Sequence, residues 1–310
     1  MRTPVQIKAA RKSFKIYWQL TDFCNHHCSY CPPMLNQGKH ARGDGAFPTT
    51  EELDKFTDWL VNKQKEMQVF VQFGGGEPTT HPHLINIVKR LTEVGVRVGI
   101  TTNGSRNREY WAQLQNLHSV TISLHPEYCR TERVLDTAKY IRDSGTTLFF
   151  ALSLDPDNWE KVVELHTAFH NEFPDLVLPK ILNRIATKNR ENYKYSEDQW
   201  TWIRQWQRPF PEHPGEEKYH SKLIFDDGSE DEWSLARWTR KGWHQFKGWS
   251  CSAGRSGFNV GFDGAIHVGV CRAEQIGTIA DFSLRETDIV CPQQYCPCPL
   301  DIQFPKQINS

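Results

Sequence analysis

The chain has 310 residues, enough for one large α/β unit with a small appendage and too few for three full domains. Its 37 Lys and Arg balance 37 Asp and Glu, so no basic excess calls for a nucleic-acid partner. No apolar run approaches the ~20 residues that span a bilayer, and Met1 to Ala10 lacks the apolar core of a signal peptide, so a cytoplasmic protein without a membrane partner is expected.

Phe14 to Leu20 reads as a first strand, rich in β-branched and aromatic residues and free of breakers. A loop runs from Thr21 to Phe47. Thr49 followed by Glu52 has the form of a capping box, and the helix it opens, about Glu51 to Met67, carries Leu53, Phe56, Trp59 and Leu60 on one face. Val69 to Phe73 is a second strand, ending in Gly74-Gly75-Gly76-Glu77-Pro78. A helix near His83 to Val94 leads to a third strand, Val96 to Thr102, that ends at Asn103-Gly104. The rhythm continues: helix Arg108 to Leu117, strand Ser119 to Leu124, helix Thr131 to Ser144, strand Thr147 to Leu154, helix Asn158 to Phe173 and strand Leu176 to Leu182. Strands that alternate with helices imply parallel pairing with right-handed crossovers, here an α/β fold of the partial (β/α)6 barrel type.

After Leu182 the rhythm stops. Residues 185–250 are rich in Trp, Arg, Lys and acids, with seven of the chain's eleven Trp lying between Trp200 and Trp249. Those seven (Trp200, Trp202, Trp206, Trp233, Trp238, Trp243 and Trp249) suit a core between domains or the wall of a substrate pocket. The interleaved Arg204, Arg208, Arg237, Arg240 and Lys241 suit cation–π contacts or anion recognition. Ser196 caps a helix expected to run to Gln207, and Pro209, Pro211 and Pro214 then exclude one. Lys222 to Phe225 and Glu232 to Ser234 flank Asp227-Gly228 as a hairpin; Phe258 to Gly261 and Ile266 to Val270 flank Asp263-Gly264 as another. The expected division is a barrel over 1–184, a bridging segment over 185–250 and a Cys-rich β-hairpin domain over 251–310.

The nine cysteines are distributed unevenly: 24, 28 and 31 near the N-terminus, 129 alone, and 251, 271, 291, 296 and 298 in the last 60 residues. An odd count spread in this way argues for metal sites rather than a disulfide framework. Cys24, Cys28 and Cys31 form a C-x3-C-x2-C pattern directly after the first strand. Three thiolates on a short loop bind three irons of a [4Fe–4S] cube and leave the fourth iron open for a ligand. A structural zinc with His26 or His27 as fourth ligand is the alternative.

The C-x3-C-x2-C segment, with aromatic Tyr30 before its last Cys, resembles the signature of the radical S-adenosylmethionine (SAM) superfamily, and the resemblance extends over about residues 14–182. It implies a SAM-binding [4Fe–4S] cluster on Cys24, Cys28 and Cys31 and an external electron donor such as flavodoxin or ferredoxin. Gly74 to Pro78 looks like the family's GGEP motif, so Gly75, Gly76 and Glu77 are expected near the methionyl amino group. Thr102 and Asn103 resemble the third-strand motif, and Ser123 and His125 end the fourth strand, where polar contacts to SAM are expected.

The C-terminal cysteines resemble the auxiliary-cluster domain of the SPASM/twitch group, in which one Cys precedes a hairpin, another follows it and later ones complete a second [4Fe–4S] cluster. Cys251, Cys271, Cys291 and Cys296 are the expected ligands, with Cys298 the substitute for one of the last two; a zinc staple is the alternative. Cys129 and one C-terminal thiol, Cys298, are then left over. In radical SAM epimerases a spare thiol returns a hydrogen atom; elsewhere a spare Cys is a small buried apolar residue.

The resemblance implies hydrogen abstraction from a C–H bond of a small polar substrate (a sugar, aminoglycoside, nucleotide or amino acid), giving epimerisation or oxidation. A maturase acting on a ribosomal peptide is the second reading; a first strand near residue 14 leaves little room ahead of it for a leader-binding domain. A non-catalytic iron–sulfur or zinc protein is the third, and it does not account for the GGEP-like turn one βα unit after the cysteine loop.

Overall fold

The computed structural model describes residues 2–9, 13–31, 48–186, 189–206, 221–232, 237–238, 241–296, 298 and 300–308. Trp233, Ser234, Arg208, Arg240 and the three prolines after the Ser196 helix lie outside the described residues.

Strands β1 (Pro4–Ala9) and β2 (Ser13–Thr21) open the chain. There follow α1 (Thr50–Glu66), β3 (Gln68–Gly75), α2 (Leu84–Glu93), β4 (Arg97–Thr102), α3 (Arg108–Trp111), β5 (Ser119–Leu124), α4 (Thr131–Asp143), β6 (Thr147–Leu154), α5 (Trp159–Glu172) and β7 (Val177–Ile181). Strands β2 to β7 pair side by side, in order and all parallel, which is the partial (β/α)6 barrel. The capping box on α1 forms: the Thr49 hydroxyl accepts from the Glu52 N–H, and the Glu52 carboxylate accepts from the Thr49 N–H at 2.7 Å. Leu53, Phe56 and Leu60 of α1 are buried against the sheet, with Trp59 partly covered.

Successive residues along a barrel strand face opposite sides. Leu124, Leu152 and Leu154 face the helices and are fully buried. The alternate set, Gln72, Thr101, Ser123, Ser153 and Lys180, points inward, and Ser153 and Lys180 are direct register partners. The polar members of this set gather toward the strand ends, while Phe149, Ala151 and Leu178 share the same inward parity. The expected helix from Arg108 to Leu117 is shorter, ending at Trp111; beyond it Leu114 and Leu117 stay buried in irregular chain, with Asn116 at a left-handed φ of 58°.

Beyond β7 come β8 (Asn183–Ala186), β9 (Asn189–Asn192), α6 (Glu197–Trp206), β10 (Ser221–Phe225), β11 (Glu230–Glu232), β12 (Ser250–Cys251), β13 (Gly257–Val260), β14 (Ala265–His267), β15 (Gln275–Thr278), β16 (Asp281–Phe282), β17 (Ile289–Val290) and β18 (Lys306–Gln307). The expected hairpin around Asp263-Gly264 forms as β13–β14, but it does not stand apart. Strand β13 adds in parallel to β2, with Gly257 opposite Lys15 and Val260 opposite Trp18, so β13 to β16 extend the barrel sheet to ten strands. A second sheet runs in the order β11-β10-β1-β18-β12-β17, and in it the first strand of the chain joins C-terminal strands.

The two parts are joined by aromatic packing. Phe258 and Phe282 sit 5.0–6.2 Å by ring centroid from Phe14, Phe56 and Trp59 of the barrel. The described tryptophans of the 200–249 stretch pack as core or against it. Trp238 is fully buried with Trp243 and Trp249 around it, Trp200 and Trp202 pack on the barrel core, and Trp206 lies 4.3 Å from the His166 ring. Among the described residues, no helix is long and apolar enough to cross a membrane.

Gly257 marks the joint. Its φ is +156°, and a Cβ there would stand 2.0 Å from the Lys15 carbonyl oxygen on the neighbouring strand. Gly257→Ala is expected to destabilise the protein by about 1–3 kcal/mol, as overpacking of a closed contact does, read as a lowered urea midpoint on anaerobically purified protein.

Candidate metal centre

The loop that leaves β2 carries Cys24, Cys28 and Cys31 over the carboxyl ends of the barrel strands, where α/β folds hold ligands. It is held there by backbone. Gly76 N–H donates to the Thr21 carbonyl and Glu77 N–H to the Phe23 carbonyl, both at 2.7 Å. The approach requires glycine: Gly75 has φ +114°, and a Cβ on Gly76 would lie 2.1 Å from the Phe23 oxygen. Glu77 is buried, and both its oxygens are engaged. Oε1 accepts from Thr79 Oγ1 at 2.6 Å and Thr102 Oγ1 at 2.7 Å, and Oε2 accepts from the Asn103 N–H at 2.5 Å. Burial pushes its carboxyl above the usual range, against these hydrogen bonds. Glu77 thus clamps the end of β3 to the end of β4.

That clamp aims Asn103. Its Nδ2 donates to Asn25 Oδ1 at 2.8 Å and approaches Cys24 Sγ at 3.6 Å, and the His26 N–H reaches the same sulfur at 3.4 Å. Cys28 lies within electrostatic reach of both Cys24 and Cys31. Burial raises the thiols of Cys24 and Cys31, and that of Cys28 to about 12. Bare thiols here stay protonated at neutral pH, and a metal cation displaces those protons when thiolates coordinate it.

Tyr30 turns into the barrel mouth, where its hydroxyl meets His125 Nδ1 at 3.0 Å and the Ser153 hydroxyl. Burial pushes the His125 imidazole down to about 3, with Lys180 and His26 adding to the effect, so the ring is neutral. Lys180 is near both His125 and Cys31. It keeps solvent-accessible surface, yet its surroundings are dense enough to depress its ammonium, as on the wall of an open cavity. Ser123 shares the inward parity of Ser153 on the neighbouring strand.

Cys251, Cys291 and Cys296 share one buried cluster, although among the described residues no group of three or more His, Cys, Asp or Glu is placed to hold a single metal ion. Cys251 lies on β12, Cys271 after β14, and Cys291, Cys296 and Cys298 along the closing loop. Cys271, Cys291 and Cys296 are each within electrostatic reach of Cys251, and Cys271 and Cys296 also of Cys291. Cys298 differs: its neighbours are Asp301 and Cys296, and it bears on Tyr17 of β2 inside the barrel. Tyr17 bonds in turn to the Gly75 backbone, and burial, then Cys298, push its phenol to about 12.

Residues 18–169 match the Radical SAM superfamily. The chain carries a radical SAM domain. Over 178 residues it is 28% identical to a probable GTP 3',8-cyclase of Methanothermobacter thermautotrophicus, covering 56% of this chain and 55% of that one. It is 35% identical over 109 residues to the mycofactocin maturase MftC of Mycobacterium ulcerans, covering 34% and 27%. The chain thus spans about half or less of these curated relatives. Among solved structures, anSMEcpe with bound AdoMet is similar at TM-score 0.56 and 15% identity, over 88% of this chain and 80% of that one. Streptococcus suis SuiB bound to S-adenosylmethionine is similar at 0.52 and 15%, over 87% and 64%. These likenesses establish the shared fold.

Radical SAM domains bind SAM and a [4Fe–4S] cluster. The donor chemistry here fits: three thiols on one loop, a glycine turn against that loop, and Asn103 at the first thiol. The five C-terminal thiols fit an auxiliary-cluster domain. Cys129 borders the same corner as Cys24, by way of Asn25, His26 and Asn103. It lines a cavity of about 250 Å³ with Asn25, His26, Asn103, Ser105 and Arg133, and burial pushes its thiol to about 12 beside Lys161 and Glu164 of α5.

Sequence reasoning did not single out Tyr17, Glu127, Ser153, Lys180 or Lys306. Glu127 receives the Ser29 N–H on both carboxylate oxygens at 3.1 Å and so ties the cysteine loop to the β5 end. Its position two residues after His125 was the available signal.

Gly76→Ala drives a methyl into the Phe23 carbonyl. It is expected to displace the cysteine loop and lower iron loading by about four atoms per chain, one cube, with the C-terminal thiols unaffected. Iron counting on anaerobically reconstituted protein checks this.

Proposed function

We propose that this chain reductively cleaves SAM and uses the resulting 5′-deoxyadenosyl radical to remove hydrogen from a C–H bond of a small polar substrate. The observation that carries the reading is the backbone contact between the glycine turn at 74–77 and the loop bearing Cys24, Cys28 and Cys31, with Asn103 directed at Cys24. Cys24, Cys28 and Cys31 hold the cluster; when bound, it delivers one electron to SAM from an external donor such as flavodoxin or ferredoxin. Gly75 and Gly76 offer backbone to the methionyl group. Glu77 fixes the turn and leaves Thr102 and Asn103 in place. Tyr30, Ser123 and His125 border the adenosyl side, and the neutral His125 ring donates or accepts a hydrogen bond without introducing charge.

Cys251, Cys271, Cys291 and Cys296 are the ligand set we assign to the auxiliary cluster, because these four share one electrostatic neighbourhood. Cys298 is then the spare thiol, and its nearness to Tyr17 supports a role inside the barrel. In an epimerisation the substrate radical takes a hydrogen atom from the Cys298 S–H. The thiyl left behind is reset by one electron from the external donor and one proton. Cys129 is the other candidate donor, since it lines the cavity that also holds Asn25, His26 and Asn103. The similarity to a GTP 3',8-cyclase supports a small-molecule substrate.

A peptide substrate is the second reading. It is favoured by the similarity to MftC and by the fold shared with anSMEcpe, solved with the Kp18Cys peptide, and SuiB, solved with precursor peptide SuiA.

The first test is release of 5′-deoxyadenosine from SAM under dithionite, followed by mass spectrometry. Reconstituted wild-type protein is expected to release it, and Cys24→Ala, Cys28→Ala and Cys31→Ala each to abolish it; no release from iron-loaded wild type overturns the reading. Once a substrate is consumed, Cys298→Ala is expected to retain SAM cleavage and lose the epimerised product; loss of that product in Cys129→Ala instead assigns the donor role to Cys129. Deuterium incorporation from heavy water reports the returned hydrogen.

A further inference from the structure

Lys306 is a buried cation placed among the C-terminal thiols. On β18 it stands directly opposite Cys251 of β12 in antiparallel register. Such partners share a face with Cβ atoms about 4.5–5.5 Å apart. The side chain is 3% exposed. Its Nζ donates to the Asp301 and Phe304 carbonyls at 2.5 and 3.1 Å and lies 5.2 Å from the Phe246 ring centroid. These groups orient the ammonium without neutralising it.

A buried ammonium is expensive unless opposing charge lies close. The nearby candidates are Asp301, Cys251, Cys291 and Cys296. One carboxylate, itself 5% exposed and accepting from the Cys271 N–H at 3.4 Å, is thin compensation. Thiolates of Cys251, Cys291 and Cys296 bound to a cluster would complete it.

We propose that Lys306 sets the reduction potential of the auxiliary cluster, its fixed positive charge favouring the more negative, reduced state. The proposal rests on reading the C-terminal cysteines as iron–sulfur ligands. Charge and hydrogen bonding around the sulfurs are the protein's levers on such a potential. Lys306 acts through the cluster as a positioning charge and touches no substrate. Asp301, the opposing charge in the same neighbourhood, acts with the reverse sign.

The test is potentiometric titration of the reconstituted two-cluster protein, followed by electron paramagnetic resonance, with added SAM marking the N-terminal cluster's signal. Lys306→Met is expected to lower the reduction equilibrium constant of the C-terminal cluster by about tenfold, 59 mV for one electron, while Lys306→Arg stays near wild type. Asp301→Asn is expected to shift the same couple upward. Opposite signs from the two substitutions are something a merely structural role does not give. Iron-loaded Lys306→Met at the wild-type potential overturns the proposal alone. If Lys306→Met fails to load, Asp301→Asn decides: an upward shift supports the proposal and no shift overturns it. A wild-type C-terminal site that takes zinc and no iron overturns both the proposal and the cluster reading beneath it.

Discussion

The backbone contact between residues 74–77 and residues 21–23 is the constraint on which the rest of the site depends. Two carbonyls of the cysteine loop are spent on N–H groups of the glycine turn, at a separation that admits no Cβ. A loop leaving a strand has many conformations open to it, and ordering each residue costs about 1–2 kcal/mol. Pinning this loop at its start places its three thiols over the barrel ends before any metal arrives. Glu77 extends the constraint sideways, because its carboxylate holds the next strand's end at Thr102 and Asn103. The turn, the loop and Asn103 form one rigid corner, and a substitution at any of the three is felt at Cys24.

The second constraint is sheet continuity. Because β13 pairs with β2 in parallel, the C-terminal cysteines are brought to the open edge of the barrel rather than hung from a linker. Strand β2 serves both sites. It leads into the Cys24 loop at its end, pairs with β13 along its edge, and presents Tyr17 inward between Gly75 and Cys298. Arg272, just past Cys271, reaches Gln19 on the same strand at 3.1 Å. Phe258 and Phe282 lock the arrangement by packing on Phe14, Phe56 and Trp59. The distance between the two thiol groups is therefore set by secondary structure rather than by side-chain flexibility.

Much of this was legible in the sequence, for reasons of range. The six parallel strands and five helices follow from local periodicity, and β5 and β6 begin and end where the pattern placed them. The capping box at Thr49 was readable because its two partners are three residues apart. The cysteine loop and the glycine turn were readable because each is a contiguous motif. What the sequence did not disclose is non-local. Strand β1 has only Ile7 deeply buried, and its partners β10 and β18 lie more than 200 residues away. The parallel pairing of β13 with β2 leaves no mark in either segment. The roles of the tryptophans as core emerge only once β10, β12 and β18 share a sheet. Lys180 and Lys306 are ordinary residues in sequence, and their register partners, Ser153 and Cys251, give them their settings.

Those two lysines separate the two thiol groups electrostatically. Lys180 stands by a single cysteine, Cys31, in a cavity open to solvent, and burial wins: its ammonium is pulled below its ordinary value. Lys306 is more deeply buried, yet its ammonium is held above its ordinary value, because three cysteines and a carboxylate surround it. The consequence follows from the charge each site tolerates. The N-terminal thiols face a weakly compensated cation and an open mouth, where a charged cofactor enters and contributes its own groups. The C-terminal thiols are enclosed with a permanent cation already in place, a setting that stabilises added negative charge without an incoming ligand.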